Sequence, residues 1–224
     1  MKKLFLLIVI FLGVCGVPHA ASFDKESVKQ SMRKVADWQI THYDRNIYGD
    51  GNWVNATFFL GLTEWAAIAE TNGDDSYYKW LLKLGNRNYW QVEKRMYHAD
   101  DVCIAQTYLA LYDKYKRKEM MIPTQARAEW VISHLSSGSF QLDYRKASTL
   151  EHWTWCDALF MAPPVYAKLY VLTGDKKYLR FMNKEYKATY DYLFDKADTL
   201  FYRDHRYFTM KEANGAKVFW GRGN

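Results

Sequence analysis

Two stretches of the sequence, FLGLTEWAAIAETNGDDSYYKW at 59–80 and FMAPPVYAKLYVLTGDKKYLRF at 160–181, align without gaps. Each runs from a phenylalanine through an apolar helical stretch to a Gly-Asp turn and then into a second, tyrosine-bearing helix. Gly73-Asp74 in the first corresponds to Gly174-Asp175 in the second. Residues 103–133 keep the same helix–turn–helix rhythm with weaker identity. A unit of this kind cannot bury its apolar face alone, so neighbouring units must stack to complete a core. The chain is thereby restricted to helical hairpins packed side by side, either as an open solenoid or as a closed toroid of helical pairs, the (α/α)6 barrel.

The remaining periodicity agrees. Apolar residues recur at helical spacing over 27–43, 58–70, 76–84, 102–115, 124–135, 157–172 and 177–193. Thr71-Asn72-Gly73-Asp74 and Thr173-Gly174-Asp175 supply the stops. Only Leu200-Phe201-Tyr202 and Lys217-Val218-Phe219-Trp220 read as short strands, so the class is all-α. The expectation is a barrel domain over 23–224.

Residues 1–22 read as a secretory signal: Lys2 and Lys3, an apolar stretch from Leu4 to Val14, and a small-residue cleavage region at Ala20-Ala21-Ser22. The apolar stretch is too short to span a bilayer comfortably. Leu12-Gly13-Val14-Cys15 roughly resembles a lipid-attachment box, which makes an anchor at Cys15 the alternative to ordinary cleavage. Either way the expected location is periplasmic or at the cell surface. Cys103 and Cys156 remain; two cysteines make no disulfide framework and lack metal-site spacing, so small buried residues are expected. The histidines show no metal spacing either, and no cofactor is implied. The formal charge of +6 is dispersed, with no cationic block that would suit nucleic acid.

The ends of the helices carry the chemistry. In a toroid the loops before the inner helices form one rim. Here those positions hold Trp53-Val54-Asn55, His98-Ala99-Asp100-Asp101 and His152-Trp153-Thr154-Trp155-Cys156-Asp157. Solenoid repeats have no reason to collect acids and tryptophans at one end, and this favours the barrel. Asp157 stands where a helix N-cap would stand. Its aromatic neighbours suggest instead a carboxyl group kept protonated by desolvation, as general-acid work requires. Asp100 and Asp101 carry the same ambiguity, and two carboxylates across a cleft are the basic equipment of glycoside hydrolysis. Trp53, Trp153, Trp155 and Trp220 are either core or sugar-stacking platforms. His98 and His152 matter only through these neighbours. Arg222, between Gly221 and Gly223, is either a surface arginine in a turn or a guanidinium for a substrate carboxylate.

Taken together, Trp-Cys-Asp-Ala-Leu-Phe-Met at 155–161, Leu-Tyr-Val-Leu-Thr-Gly-Asp at 169–175, Leu-Phe-Tyr at 200–202 and the ending Phe-Trp-Gly-Arg-Gly-Asn resemble the unsaturated glucuronyl and rhamnogalacturonyl hydrolases of glycoside hydrolase families 88 and 105. The resemblance runs from about residue 27 to the last; family members continue past Arg-Gly-Asn with several more barrel helices, so it implies that these seven helices, a little over half of a toroid, are truncated at the C-terminal side. It implies an (α/α)6 barrel that removes a 4,5-unsaturated uronic acid from oligosaccharides left by polysaccharide lyases, here a galacturonyl residue from pectic or rhamnogalacturonan products. It implies Asp157 as the acid/base, Trp155 as its neighbouring tryptophan and Asp100 as the second acid, with Asp101 as the alternative. It also implies that Trp220 and Arg222 contact the uronate. The sequence departs from the family at His152-Trp153-Thr154-Trp155, where many members have Gln-Met-Trp, and at Arg203, where many have histidine. Rival readings are an inverting glycosidase or sugar epimerase on the same barrel, and a non-catalytic helical-repeat module that binds glycans or protein.

Overall fold

The two copies of the repeat fold as the same hairpin. Trp53–Glu70 (α2) and Ser76–Arg87 (α3) form one, and Pro163–Thr173 (α8) and Lys176–Leu193 (α9) form the other. The aligned glycines Gly73 and Gly174 both take the left-handed backbone, with φ of 80° and 73°, a region that a Cβ disfavours. The aspartates that follow them hold the next helix start. Asp175 accepts from the Lys177 N–H at 2.9 Å, and Asp74 accepts from the Ser76 N–H at 3.2 Å.

The computed structural model describes residues 24–224. The expected signal segment and Cys15 lie outside the described residues. Residues up to His42 form a unit of their own, whose helix Lys25–Thr41 (α1) is capped by Asp24 and buries only Ala36. At the end of α1 the Trp38 ring stacks on His42 with centroids 4.5 Å apart.

The second unit, Tyr43–Asn224, holds everything else. Between the two repeat hairpins lie Ala99–Val102 (α4), Ala105–Tyr115 (α5), Ile122–Ser133 (α6) and Ala158–Met161 (α7). Helix α5 packs against both α2 and α8, which makes a row α2–α5–α8. Helix α3 packs on α2, and α9 packs on α8 and α6. Amino-acid pattern assigns the rows. The first-row helices α2 and α8 are apolar over most of their surface and bury Phe59, Leu62 and Ala66, and Val165, Tyr166 and Leu169. The second-row helices α3 and α9 bury one face only, through Leu81 and Leu84, and through Tyr178, Thr189 and Leu193. A fully buried leucine or phenylalanine in the first row contributes roughly 1.5–3 kcal/mol through lost apolar exposure. Among the described residues no helix is long and apolar enough to cross a membrane.

Each of the seven expected helices is present, but two are broken. The stretch expected at 102–115 is α4 followed by α5, and that expected at 157–172 is α7 followed by α8. The second break has a clear cause. Pro163 and Pro164 have no N–H to give to the turn before them, and the Val165 N–H turns to Ala162 O at 3.0 Å. The carbonyls of Phe160 and Met161 are taken up instead by the side chain of Gln106 on α5, whose Nε2 donates to them at 2.9 and 3.0 Å. One amide thus ties α7 to α5. The strand reading at 200–202 corresponds to Leu200–Phe201 (β2), paired antiparallel with Phe194–Asp195 (β1). That at 217–220 shrinks to an isolated bridge between Lys211 and Lys217.

Gln106→Leu keeps the volume but leaves two carbonyls without their donor. The expected loss of stability is about 1–3 kcal/mol, measured by urea unfolding. A variant as stable as the parent would show that this tie carries no stability.

Candidate active site

Helices α4 and α7 pack against each other, and each presents an aspartate at its start. Asp157 precedes α7 in the N-cap position but does not cap. Its φ and ψ are −71° and −13°, and its side chain makes no capping hydrogen bond. The aspartates that do cap are extended, with ψ of 154° at Asp24 and 111° at Asp175. The Asp157 carboxylate is therefore turned off the backbone amides, and its Oδ1 is buried without a hydrogen-bond partner among the described residues. Burial pushes its pKa up, against its own backbone N–H and then the guanidinium groups of Arg203 and Arg222, which pull it down. Asp100, in the first turn of α4, goes further: burial, then the nearby charge of Asp157, push its pKa up to about 7. Two carboxyl groups that interact this way hold a proton between them near neutrality.

The neighbouring Asp101 is engaged elsewhere. It is buried, accepts from Arg95 Nε at 3.0 Å and from Arg95 Nη2 at 2.5 Å, and also receives the Arg95 backbone N–H at 2.8 Å. This carboxylate fixes the 93–95 loop. His98 caps α4 by accepting the Asp100 N–H on its Nδ1 at 3.3 Å. Burial and then the Arg95 charge lower its pKa to about 4, so it is a neutral imidazole at pH 7. Trp155 lies against it with ring centroids 4.7 Å apart.

Asp157 opens onto a cleft of about 710 Å³, whose walls include Trp53, Tyr186, Phe201 and Arg222. Trp53 also lines an adjoining hollow of about 400 Å³ that contains both Asp100 and the Asp101–Arg95 pair. The Arg222 guanidinium sits over the Trp220 ring at 4.3 Å and over Trp53 at 5.3 Å, which holds it at the cleft wall. The closing motif is held by its own residues. A Cβ on Gly223 would collide with Cys156 Sγ and the Trp220 ring. Asn224 binds Phe201 through both its amide atoms, accepting the Phe201 N–H at 2.7 Å and donating to Phe201 O at 3.0 Å. The Cys156 N–H donates to Arg203 O at 2.8 Å, so Arg203 is anchored one residue from the acid. Cys103 and Cys156 are free and buried.

The structure brings Asp100, Asp157, Trp53, Trp220, Arg203 and Arg222 together. Four expected contacts, Trp153, His152, Trp155 and His98, do not line the cleft. Trp153 is 3% exposed and packs among Tyr166 and Phe181 at 6.0 and 6.1 Å, with its carbonyl accepting the Thr189 hydroxyl. It is core under α8 and α9. His152 pairs with Glu185 at 3.1 Å and stacks on Phe140 at 4.8 Å. Trp155 is buried as well and serves as a wall behind His98, not as an open platform. Tyr186 and Phe201, which line the cleft, did not stand out in the sequence as site residues; the Leu-Phe-Tyr motif at 200–202 was the available signal for Phe201.

Comparison with known proteins adds context to this geometry. The sequence pattern of Glycosyl Hydrolase Family 88 matches residues 26–224. Over 229 residues the chain is 34% identical to the unsaturated 3S-rhamnoglycuronyl hydrolase of Alteromonas sp. (strain LOR), covering 91% of this chain and 54% of that protein. It is 32% identical over 210 residues to the protein of the same description from Formosa agariphila, with 88% and 53% covered. The chain spans about half the length of these curated relatives. Among solved structures, one described as a polysaccharide lyase superposes with a TM-score of 0.71 at 26% identity, covering 88% of this chain and 56% of that one. A family 88 glycosyl hydrolase from Bacteroides vulgatus superposes with a TM-score of 0.67 at 23% identity, covering 87% and 57%. The family neighbours are (α/α)6 barrels, and the two rows of helices belong to that fold.

The raised pKa of Asp100 has a consequence for stability. The folded chain holds a proton there that the unfolded chain releases near pH 4, so stability falls as pH rises from about 4 to about 7. Asp100→Asn removes the unfavourable charge. At pH 8 it is expected to stabilise by on the order of 1–4 kcal/mol, with almost no effect at pH 4. Thermal unfolding at the two pH values measures this, and an equal effect at both would contradict it.

Proposed function

Because the chain belongs to glycoside hydrolase family 88, we propose that its cleft removes a 4,5-unsaturated uronic acid from the non-reducing end of an oligosaccharide. The observation that carries this reading is the uncapped, buried carboxyl of Asp157, set between a second acid and two guanidinium groups. The substrate's C4–C5 double bond is a vinyl ether. Asp157 delivers its proton to C4, and the positive charge that develops at C5 is shared with the ring oxygen. Water adds at C5 and gives a proton back to Asp157, so the acid ends in the state in which it began. C5 then bears both the ring oxygen and a hydroxyl. This hemiketal opens to a ketone, and C1, left as a hemiacetal, releases the next sugar. The balance is one water added.

Asp100 keeps the acid in its working state: with a pKa near 7 beside it, the pair retains a proton under conditions where isolated carboxyls have lost theirs. Arg222, flat against Trp220, takes the uronate carboxylate, and Trp53 offers an apolar face to the ring. Asp101, bound by Arg95, is left with a structural role.

Elimination by a lyase flattens C4, so unsaturated residues from glucuronate and galacturonate are the same group. Discrimination between substrates therefore rests on the sugar that follows. Rhamnose is the assignment common to rhamnogalacturonan products and to the description of the curated relatives, and we assign it here. We also infer export, supported by the signal-like pattern of residues 1–22.

The test follows the ultraviolet absorbance of the double bond in rhamnose-linked unsaturated disaccharides. A hydrolase removes that absorbance; a lyase acting on intact polysaccharide creates it. Asp157→Asn is expected to lower the rate by roughly 10²–10⁴-fold, and Arg222→Ala to raise KM more than it lowers kcat. Absorbance that persists with the parent chain over pectic, sulfated and glycosaminoglycan products would overturn the reading.

A further inference from the structure

The two carboxyl groups of the site face different spaces. Asp157 lines the 710 Å³ cleft and Asp100 the 400 Å³ hollow, with Trp53 common to both walls. The two spaces also differ in chemistry. Around Asp157 the cleft is mostly apolar, with Leu159, Phe160, Met161 and Phe201 among its walls. The hollow is walled by Asn52, Glu93, Lys94, Arg95, Asp100 and Asp101, and by the bare backbone of Gly49. It meets solvent beside Lys94, which is exposed, and Arg95, whose side chain is half exposed.

Fixed groups hold the hollow open. Arg127 on α6 donates to Arg95 O at 3.0 Å, to Met96 O at 3.4 Å and to Glu93 O at 2.6 Å, so one guanidinium holds the 93–96 loop. Just before that loop, Tyr89 and Trp90 take left-handed backbones with φ of 51° and 58°, which a Cβ disfavours. The Trp90 ring secures this path by filling the slot over Gly85, where a Cβ would collide with it. Glu93 lies across Gly51, where a Cβ would collide with its side chain. Asp101 is taken by Arg95, whereas the Glu93 carboxylate makes no hydrogen bond or ion pair among the described residues and is an open acceptor.

A sugar ring lying on Trp53 covers the acid pair from the cleft side. The polar side stays wet, and a space of this size holds several waters. We propose that the hollow is the route by which the attacking water reaches the reaction centre, past Glu93 and over Asp100 to Asp157. The inference rests on the reading of the cleft as an unsaturated uronyl hydrolase site. Asp100, at the inner end of the route, holds the water beside the carboxyl that takes its proton.

Methanol separates the route from the chemistry. It adds to the same double bond: Asp157 gives its proton to C4, the methanol oxygen bonds to C5, and the methanol hydroxyl proton returns to Asp157. The water adduct opens and releases the next sugar. The methanol adduct is a ketal, which stays closed and keeps that sugar. The ratio of sugar released to double bond lost therefore reports which nucleophile arrived, whatever the amount of folded protein. It is measured on the full chain with an unsaturated rhamnose-linked disaccharide in aqueous methanol. Gly49→Leu narrows the hollow, and its Cβ meets nothing closer than Glu93 Oε1 at 4.0 Å. The share of methanol adduct is expected to fall at least about threefold, because a tight passage penalises one extra methyl group. Lys94→Trp narrows the outer mouth from an exposed position and decides the matter if Gly49→Leu does not fold. Phe160→Ala, which widens the cleft instead, leaves the share unchanged. If the parent already excludes methanol, Glu93→Ala, which widens the hollow, is expected to admit it. A methanol share that holds or rises in the narrowed variants, that Phe160→Ala changes as much, or that stays at zero in Glu93→Ala overturns the proposal. Failure of the hydrolase reading shows separately, as double-bond absorbance that persists with the parent chain, and the proposal falls with it.

Discussion

The site depends on one unfavourable interaction, the approach of two carboxyl groups in apolar surroundings. Asp100 and Asp157 start the one-turn helices α4 and α7, which pack together in front of α5 and α8. Left to relax, two such carboxylates would separate and seek water. They are held because the helices behind them are fixed: Gln106 binds the end of α7 to α5, and α5 packs between α2 and α8. Burial first, and the repulsion after it, favour keeping a proton, and the Asp100 pKa rises. Stability given up at this pair is what supplies an acid at neutral pH, and the apolar first row of helices is where it is made good.

The repeat, the hairpins and their Gly-Asp turns were legible in the sequence because they rest on local rules: helical periodicity, a left-handed glycine and a capping aspartate. Asp157 and Asp100 were legible as candidates because polar residues interrupt apolar runs there. Which of the two adjacent aspartates serves the cleft was not legible. What the fold adds is a difference in partners, since the Arg95 guanidinium binds Asp101, and no spacing rule foretells which neighbour a side chain will reach. Trp153 and His152 show the same limit. They precede the acid in sequence, yet the chain between 152 and 157 carries them away from the cleft, Trp153 to the core beneath α9 and His152 to Glu185. Contacts between arginines and rings also link residues 53, 144, 203, 206, 220 and 222. Contacts between a cation and a ring have no periodicity, so only the folded chain reveals them.

The departure at residue 203 gains a physical meaning in this setting. A histidine there would be neutral over much of the physiological range, whereas Arg203 is always charged. Its guanidinium acts in three directions: it lowers the pKa of Asp157, pairs with the buried Asp204, and holds Tyr144. The departure thus couples Asp157 to Asp204 and Tyr144 through one guanidinium.

The double nature of aspartate at a helix start also finds its resolution. A carboxylate that caps accepts backbone N–H bonds, and these favour its charged form; a general acid needs the opposite. One side chain cannot do both, and the choice lies in a single dihedral angle. At Asp175 a ψ of 111° swings the backbone so that the carboxylate meets the helix amides. At Asp157 a ψ of −13° continues the helical path, and the carboxylate is carried past those amides. Such a backbone is available because α7 is a single turn with its far end secured by Gln106 from outside. A longer helix would gain more from a cap at its start, and the same aspartate would be drawn into that role. The prolines that break the helix at 163 and 164 and the acid that goes uncapped at 157 are therefore two consequences of one local design.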